Sequence, residues 1–373
     1  MVTTALGDMQ ALEREISTSD LDALVAISPE NVTYSSGVVV WTQRSLRDRL
    51  AMVVMPSKGD TTFLVAGQEA GYVGERSWIR DVRSYVAHGA SPIQALVDVL
   101  REKGLAAGRI GIELGYLSTD YHRELVEALP EAQVVSCEPL FQGVRMVKTQ
   151  AEVDLLTYAA VATERALMAT YATIHPGDRE RSLVSRLAGN MLQTGADKTS
   201  GLYLTVGPNT GHAHPSPTDY LAQPGDLIKT DCGAYFSGYL SDIARTAVIG
   251  EASPEQRSIY QRLMEVHALT IEAMRPGVPA SDVFKVAVRE YQRVDIPFSL
   301  AFAGHGIGLS GHEDPLLSAE EDTPLQPNMF FAVETRVRWP GSAGYHIEDA
   351  VLITDDGPKL LTTFMDTSNL MEL

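Results

Sequence analysis

The chain has 373 residues, more than one ordinary hydrophobic core organises, so two domains are expected. Lys and Arg number 30 against 48 Asp and Glu, and the net charge of −18 excludes nucleic acid and anionic membrane surfaces as partners. Cys137 and Cys232 are the only cysteines, which excludes a disulfide framework and a cysteine-based zinc site.

The opening stretch MVTTALGDMQALEREISTSD carries acids and no apolar h-region, so no signal peptide is expected there. No apolar run approaches the roughly 18 residues that a membrane span requires, and a cytoplasmic protein is expected. DALVAI (Asp22–Ile27), LAMVVM (Leu50–Met55), TTFLVA (Thr61–Ala66) and RIGIEL (Arg109–Leu114) read as strands. SPIQALVDVLREKGL reads as a helix, with Ser91 as cap, Pro92 in the first turn and Gly104 at its end. Strands interleaved with helices point to an α/β domain.

Near residue 145 the pattern changes. Thr149 and Glu152 form a capping box before a long helix that stops at TIHPG, and a second helix follows over Glu180–Gln193. The same grammar returns at Ser253–Pro254, with a helix stopping at MRPG and Ser281 capping the next one. ALMATYATIHPG and ALTIEAMRPG resemble each other, as a duplicated α/β unit or a chance likeness would have them. Strand-like segments follow each helix pair: DLIKTDCGAYF and YLSDIARTAVIG, then MFFAVETRVRW and YHIEDAVLIT.

Those strands hold the chemistry. A hairpin looping over Tyr235–Gly238 would set Asp231 directly opposite Asp242, where like charges repel unless a cation lies between them. AFAGHGIGLSGHEDP places His305 and His312 among small residues. Its G-x-G is not followed by a capped helix, and Leu316 stands where a zincin would need its second histidine. Strand alternation puts Glu334 on one face with Phe330 and Ala332, and puts His346 and Glu348 on one face with Ala350 and Leu352. Carboxylates among apolar neighbours are paired, metal-bound or protonated, or else reach water from an edge strand. His212 and His214 sit in a loop rich in Gly, Pro, Asn and Ser, and either bind a ligand there or face solvent. Together Asp231, Asp242, His305, Glu334 and Glu348 supply four carboxylates and one imidazole, a set whose charge matches two divalent cations such as Mn, Co, Zn or Fe(II).

The D-x₁₀-D pair, GHGIG with its following HE, VE and IED resemble, in order and spacing, the pita-bread metallohydrolases: methionine aminopeptidases, Xaa-Pro aminopeptidases, prolidases and creatinase. The resemblance implies a mixed α/β (α+β) architecture. A creatinase/prolidase-like α/β domain would cover residues 1–145, and a catalytic pita-bread domain with pseudo-twofold duplicated α/β halves would cover 146–373. Methionine aminopeptidases usually lack the first domain. Carried over, Asp231 would bind one metal and His305 the other, Asp242 and Glu348 would bridge both, and Glu334 would bind the His305 metal and shuttle a proton for an attacking metal-bridging hydroxide. His214 and His312 would contact the scissile carbonyl or tetrahedral intermediate. A homodimer is implied, with Trp41 as a candidate pocket wall.

Two positions depart from the Xaa-Pro branch: Ala301 stands where a histidine is usual, and His346 stands where arginine is usual. The expected activity is hydrolysis of an amide-type C–N bond in a small substrate, most simply a Xaa-Pro dipeptide. The alternatives are hydrolysis of a non-peptide amide or ring, as in creatinase or ectoine hydrolase, a metal-dependent lyase acting on a small metabolite, and a non-catalytic pita-bread binding module.

Overall fold

The computed structural model describes residues 6–89 and 91–373. The chain divides into two compact units, with the boundary between Arg145 and Met146. In the first unit β1 (Ala23–Ala26), β2 (Met52–Pro56), β3 (Thr62–Ala66), β4 (Asp81–Tyr85), β5 (Arg109–Ile112) and β6 (Gln133–Ser136) form one sheet. Its order is β4-β3-β2-β1-β5-β6, with antiparallel pairs around β2 and parallel pairs elsewhere. The helix Pro92–Glu102 starts at Ser91, whose hydroxyl accepts from the Ile93 N–H. It buries Ile93, Leu96, Val97 and Leu100 against Val25, Met52 and Ile110, each such side chain contributing about 2 kcal/mol. The edge strands β4 and β6 lack a continuous apolar pattern, which is why they escape a reading based on apolar runs.

The second unit holds a sheet of ten strands: β7 (Lys198–Val206), β8 (Leu227–Phe236), β9 (Tyr239–Leu240), β10 (Ile243–Val248), β11 (Phe302–Gly306), β12 (Glu313–Ser318), β13 (Phe330–Trp339), β14 (Ala343–Thr354), β15 (Gly357–Leu360) and β16 (Met371–Glu372). The main path runs β12-β11-β13-β14-β10-β8-β7. Helices Gln150–Tyr171 and Glu180–Gln193 pack Leu167, Leu183 and Leu187 on Ile228, Cys232 and Ala247. Helices Pro254–Glu272 and Ala280–Arg293 lie against the other strands, burying Leu263 and Val266 with Ile347, and Val283 and Ala287 with Phe331 and Val351. Asp231 on β8, Glu334 on β13, and His346 and Glu348 on β14 are thereby left on the face without helices.

The helix pairs repeat in detail. Both begin with a capping box, Thr149 with Glu152 and Ser253 with Gln256. In both, the turn between the two helices carries a left-handed glycine, Gly177 at φ 89° and Gly277 at φ 83°. The N–H of Gly177 donates to the Ala222 carbonyl at 2.7 Å and that of Gly277 to the Leu325 carbonyl at 2.8 Å. These matched bonds give the sequence likeness a structural basis as a duplicated unit.

Two local expectations need correction. Ser281 does not cap its helix: Pro279 occupies the cap position, and the Ser281 hydroxyl, inside the helix, donates to Asp322 at 2.8 Å. The hairpin has a two-residue turn rather than four, because Phe236 pairs with Tyr239 around Ser237 at φ 51° and Gly238 at φ 87°. Positive φ at both central residues matches the twist of the flanking strands. The register therefore shifts by two, and Asp231 faces Ala244, not Asp242.

Candidate metal centre

Pairing across four strands builds two adjacent rows of side chains on the helix-free face. In the first, Asp231 on β8 faces Ala244 on β10, Ala244 faces Glu348 on β14, and Glu348 faces Glu334 on β13. In the second, Lys229 faces Thr246, Thr246 bonds the His346 backbone, and His346 faces Arg336. Asp242 lies two residues before Ala244, diagonal to Asp231, so the aspartates share a face without being directly opposed. His305 faces Ala332, two residues from Glu334. Ala244 is fully buried and short, leaving space between the acids flanking it.

Asp231, Asp242, His305, Glu334 and Glu348, with His214, His312 and His346, line one cavity of about 300 Å³, whereas Trp41 and His212 do not. Ligand atoms of Asp242, His305 and Glu348 lie within 4.8 Å of one another, as do those of Glu334, His346 and Glu348. His346 thus joins the acids directly: its Nε2 is 3.0 Å from Glu334 and its Nδ1 is 3.5 Å from Asp231. His214 Nε2 sits 3.4 Å from Asp231 and its ring lies 4.5 Å from that of Tyr203. At the other end His312 stacks on His305 at 4.0 Å, with Phe302 against both rings. Only His214 of its loop's two histidines enters the cavity; the His212 carbonyl, with that of Ala213, accepts from the Lys229 ammonium. Trp41 opens a short helix of the first unit, Trp41–Ser45.

The electrostatics require a counter-charge. Burial, then the charges of Glu348 and Asp231, push the Asp242 carboxyl well above its usual range. Burial raises Glu348 to about 7, with Asp231 adding and His346 opposing. Asp231 goes the other way: burial would raise it, but hydrogen bonds from His214 and His346 outweigh burial and hold it low. Burial also lowers His305 and takes His312 down to about 4, so both rings favour the neutral form. His305 Nδ1 lies 3.0 Å from the Gly306 carbonyl, which can only accept, so Nδ1 carries the hydrogen. Its Nε2 lone pair then points toward Glu348, 3.7 Å away, in the tautomer a metal ligand needs. Clustered acids that resist ionising without a cation, beside an imidazole of the correct tautomer, fit a divalent metal site.

In the metal-free protein this repulsion should be measurable. A carboxyl whose folded pKa is raised to about 7 loses stabilisation as pH climbs from its ordinary value toward 7. Glu348→Gln is therefore expected to gain on the wild type by about 1–3 kcal/mol between about pH 5 and pH 8 in chelator-treated urea titrations. A wild-type-minus-variant difference that stays flat over that range would contradict the buried-acid account.

Sequence reasoning missed Arg336, Lys229, Tyr203 and Phe302. The alternation that grouped Ala332 with Glu334 also reaches Arg336, and the same step from Asp231 reaches Lys229. Where the resemblance leads one to expect arginine, position 346 holds histidine, and Arg336 faces it from the neighbouring strand.

Residues 154–355 match metallopeptidase family M24, and residues 9–147 match the creatinase/prolidase N-terminal domain. The Xaa-Pro dipeptidase of Pyrococcus furiosus is 32% identical over 257 residues, covering 68% of this chain and 73% of that protein. The Xaa-Pro dipeptidase of Lactobacillus helveticus is 30% identical over 289 residues, covering 76% of this chain and 78% of that protein. The solved prolidase from Pyrococcus furiosus aligns with a TM-score of 0.81 at 26% identity, covering 95% of this chain and 99% of that one. With a creatinase-type N-terminal unit and a pita-bread C-terminal unit, the chain belongs to metallopeptidase family M24, a family of metal-dependent hydrolases.

Proposed function

We propose that the protein is a Xaa-Pro dipeptidase working with two divalent metal ions held by Asp231, Asp242, His305, Glu334 and Glu348. The observation that carries this reading is the convergence of Asp242, His305, Glu334 and Glu348 in one small cavity, where burial and like charge call for cations. The names of the relatives supply the substrate class. When bound, the ions supply Lewis-acid activation of water and of the scissile carbonyl.

The chain's own residues do the rest. Glu334 takes the proton of the attacking water on a carboxylate oxygen and returns it to the leaving amine, so that water adds across the C–N bond. His346 Nε2, 3.0 Å from that carboxylate, steadies it. His214 and His312 stand at opposite ends of the acidic row and donate hydrogen bonds as charge grows on the carbonyl oxygen. Lys229 holds the loop backbone that carries His214. A homodimer, an intracellular location and manganese as the native ion belong to the same reading; among the described residues no helix is long and apolar enough to cross a membrane.

The test is an assay with manganese over Xaa-Pro dipeptides, creatine and cyclic amides, with metal content measured alongside. Turnover of Xaa-Pro dipeptides that is lost to a chelator and restored by a divalent ion is expected. Full activity in demonstrably metal-free protein would overturn the mechanism, and turnover of only creatine or a cyclic amide would overturn the substrate.

A further inference from the structure

We infer that Arg336 selects substrates that end in a free carboxylate, so that the cavity takes free dipeptides in preference to C-terminal amides; this rests on the dipeptidase reading above. Among the described residues, Arg336 is the only Lys or Arg that lines the cavity. It stands two residues from Glu334 on the same face of β13, opposite His346, at the end of the row that begins with Lys229. Lys229 is committed to the carbonyls of His212 and Ala213 and is absent from the cavity wall. The cavity is thus polarised, with an acidic row along one side and one permanent cation beside it.

The stretch of β13 that carries Arg336 is held in place. Beyond Val333 the edge of β13 is no longer paired with β11. There the Tyr291 hydroxyl accepts from the Arg336 N–H at 2.7 Å and donates to the Arg336 carbonyl at 2.9 Å, doing what a neighbouring strand would do. The side chain is 16% exposed, touches Glu334, and lies with its guanidinium carbon 5.8 Å from the centre of the Phe302 ring. Its Nε is buried without a hydrogen-bond partner. Arginine carries five N–H donors in a planar fork, and one carboxylate contact leaves most of them unspent. A carboxylate matches the fork in shape and charge, whereas an amide matches neither. The volume of about 300 Å³ fits a ligand of dipeptide size.

The experiment compares alanyl-proline with its C-terminal amide on the manganese-loaded full chain, in the wild type, R336Q and R336K. In the wild type kcat/KM for the dipeptide should exceed that for the amide by at least about tenfold; in R336Q the ratio should collapse to about one through KM, and R336K should recover part of it. A parallel calorimetric titration with L-proline and L-prolinamide needs no turnover. Proline should bind about tenfold more tightly than prolinamide, a preference that R336Q loses. A ratio unchanged in R336Q, or equal losses on both substrates through kcat, would overturn the inference. If the wild type cleaves neither compound, the dipeptidase reading falls, and the proline preference decides the role of Arg336 alone.

Discussion

Replacing Asp242 by alanine is expected to abolish turnover, lowering kcat/KM by on the order of 10⁴, about 5.5 kcal/mol of transition-state stabilisation. The carboxylate shares its site with His305 and Glu348. On the two-metal reading, its loss leaves a set whose charge and geometry no longer match two divalent ions. The fold should survive the change. In the metal-free protein Asp242 is held among like charges by burial, with Glu348 and Asp231 adding to its strain, so its removal relieves repulsion. Metal-free D242A should therefore melt no lower than metal-free wild type. The wild type should gain about 2.7 kcal/mol from an ion at one hundred times its dissociation constant, a gain the variant loses. Activity above about a tenth of the wild-type level would take Asp242 out of the site.

The second large effect is on stability. Arg245→Leu is expected to cost about 3–5 kcal/mol, read from urea unfolding of the metal-free protein. The Arg245 side chain is 2% exposed and lies on the helix-backed face of β10. It donates to Glu164 at 2.9 Å, to Asp349 at 2.7 Å and to the Glu348 carbonyl at 2.6 Å. Burial would drive Asp349 toward protonation, but Arg245, joined by His267, outweighs burial and keeps it ionised. His267 in turn reaches Thr335 at 3.1 Å. Asp349 and Thr335 are the immediate neighbours of Glu348 and Glu334. The network thus fixes, from behind, the strands whose front faces carry the acids. Leucine would leave Glu164 and Asp349 buried without their cation. A loss below about 1 kcal/mol would mean the network contributes little.

Much of the site was legible because β-strand chemistry is periodic. Glu334 and Glu348, each flanked on its own face by apolar residues, are placed correctly by alternation alone, and their direct pairing follows from the β13–β14 hairpin. The capping boxes at Thr149 and Ser253 fix their helix starts for an equally local reason. The Asp231–Asp242 register was not legible, since Ser237 accepts a left-handed conformation that is usually left to glycine or asparagine. Arg336 was passed over because a charged residue near the end of a strand reads as solvent-facing. Its place in the cavity wall, against Glu334 and Phe302, shows that it turns inward. The back-face network was invisible for a related reason, as its members come from a helix near residue 164, another near 267 and three separate strands or loops.

The pairing of Ala244 with Glu348 is where the two repeats join. Asp231 and Asp242 stand on one side of that seam, and His305, Glu334 and Glu348 on the other. Neither half carries the complete set of candidate ligands, so the cavity is assembled only where the two halves meet. On the two-metal reading, ions seated there would fasten the two halves across that seam, so that holding them in register and arming the site would be one event.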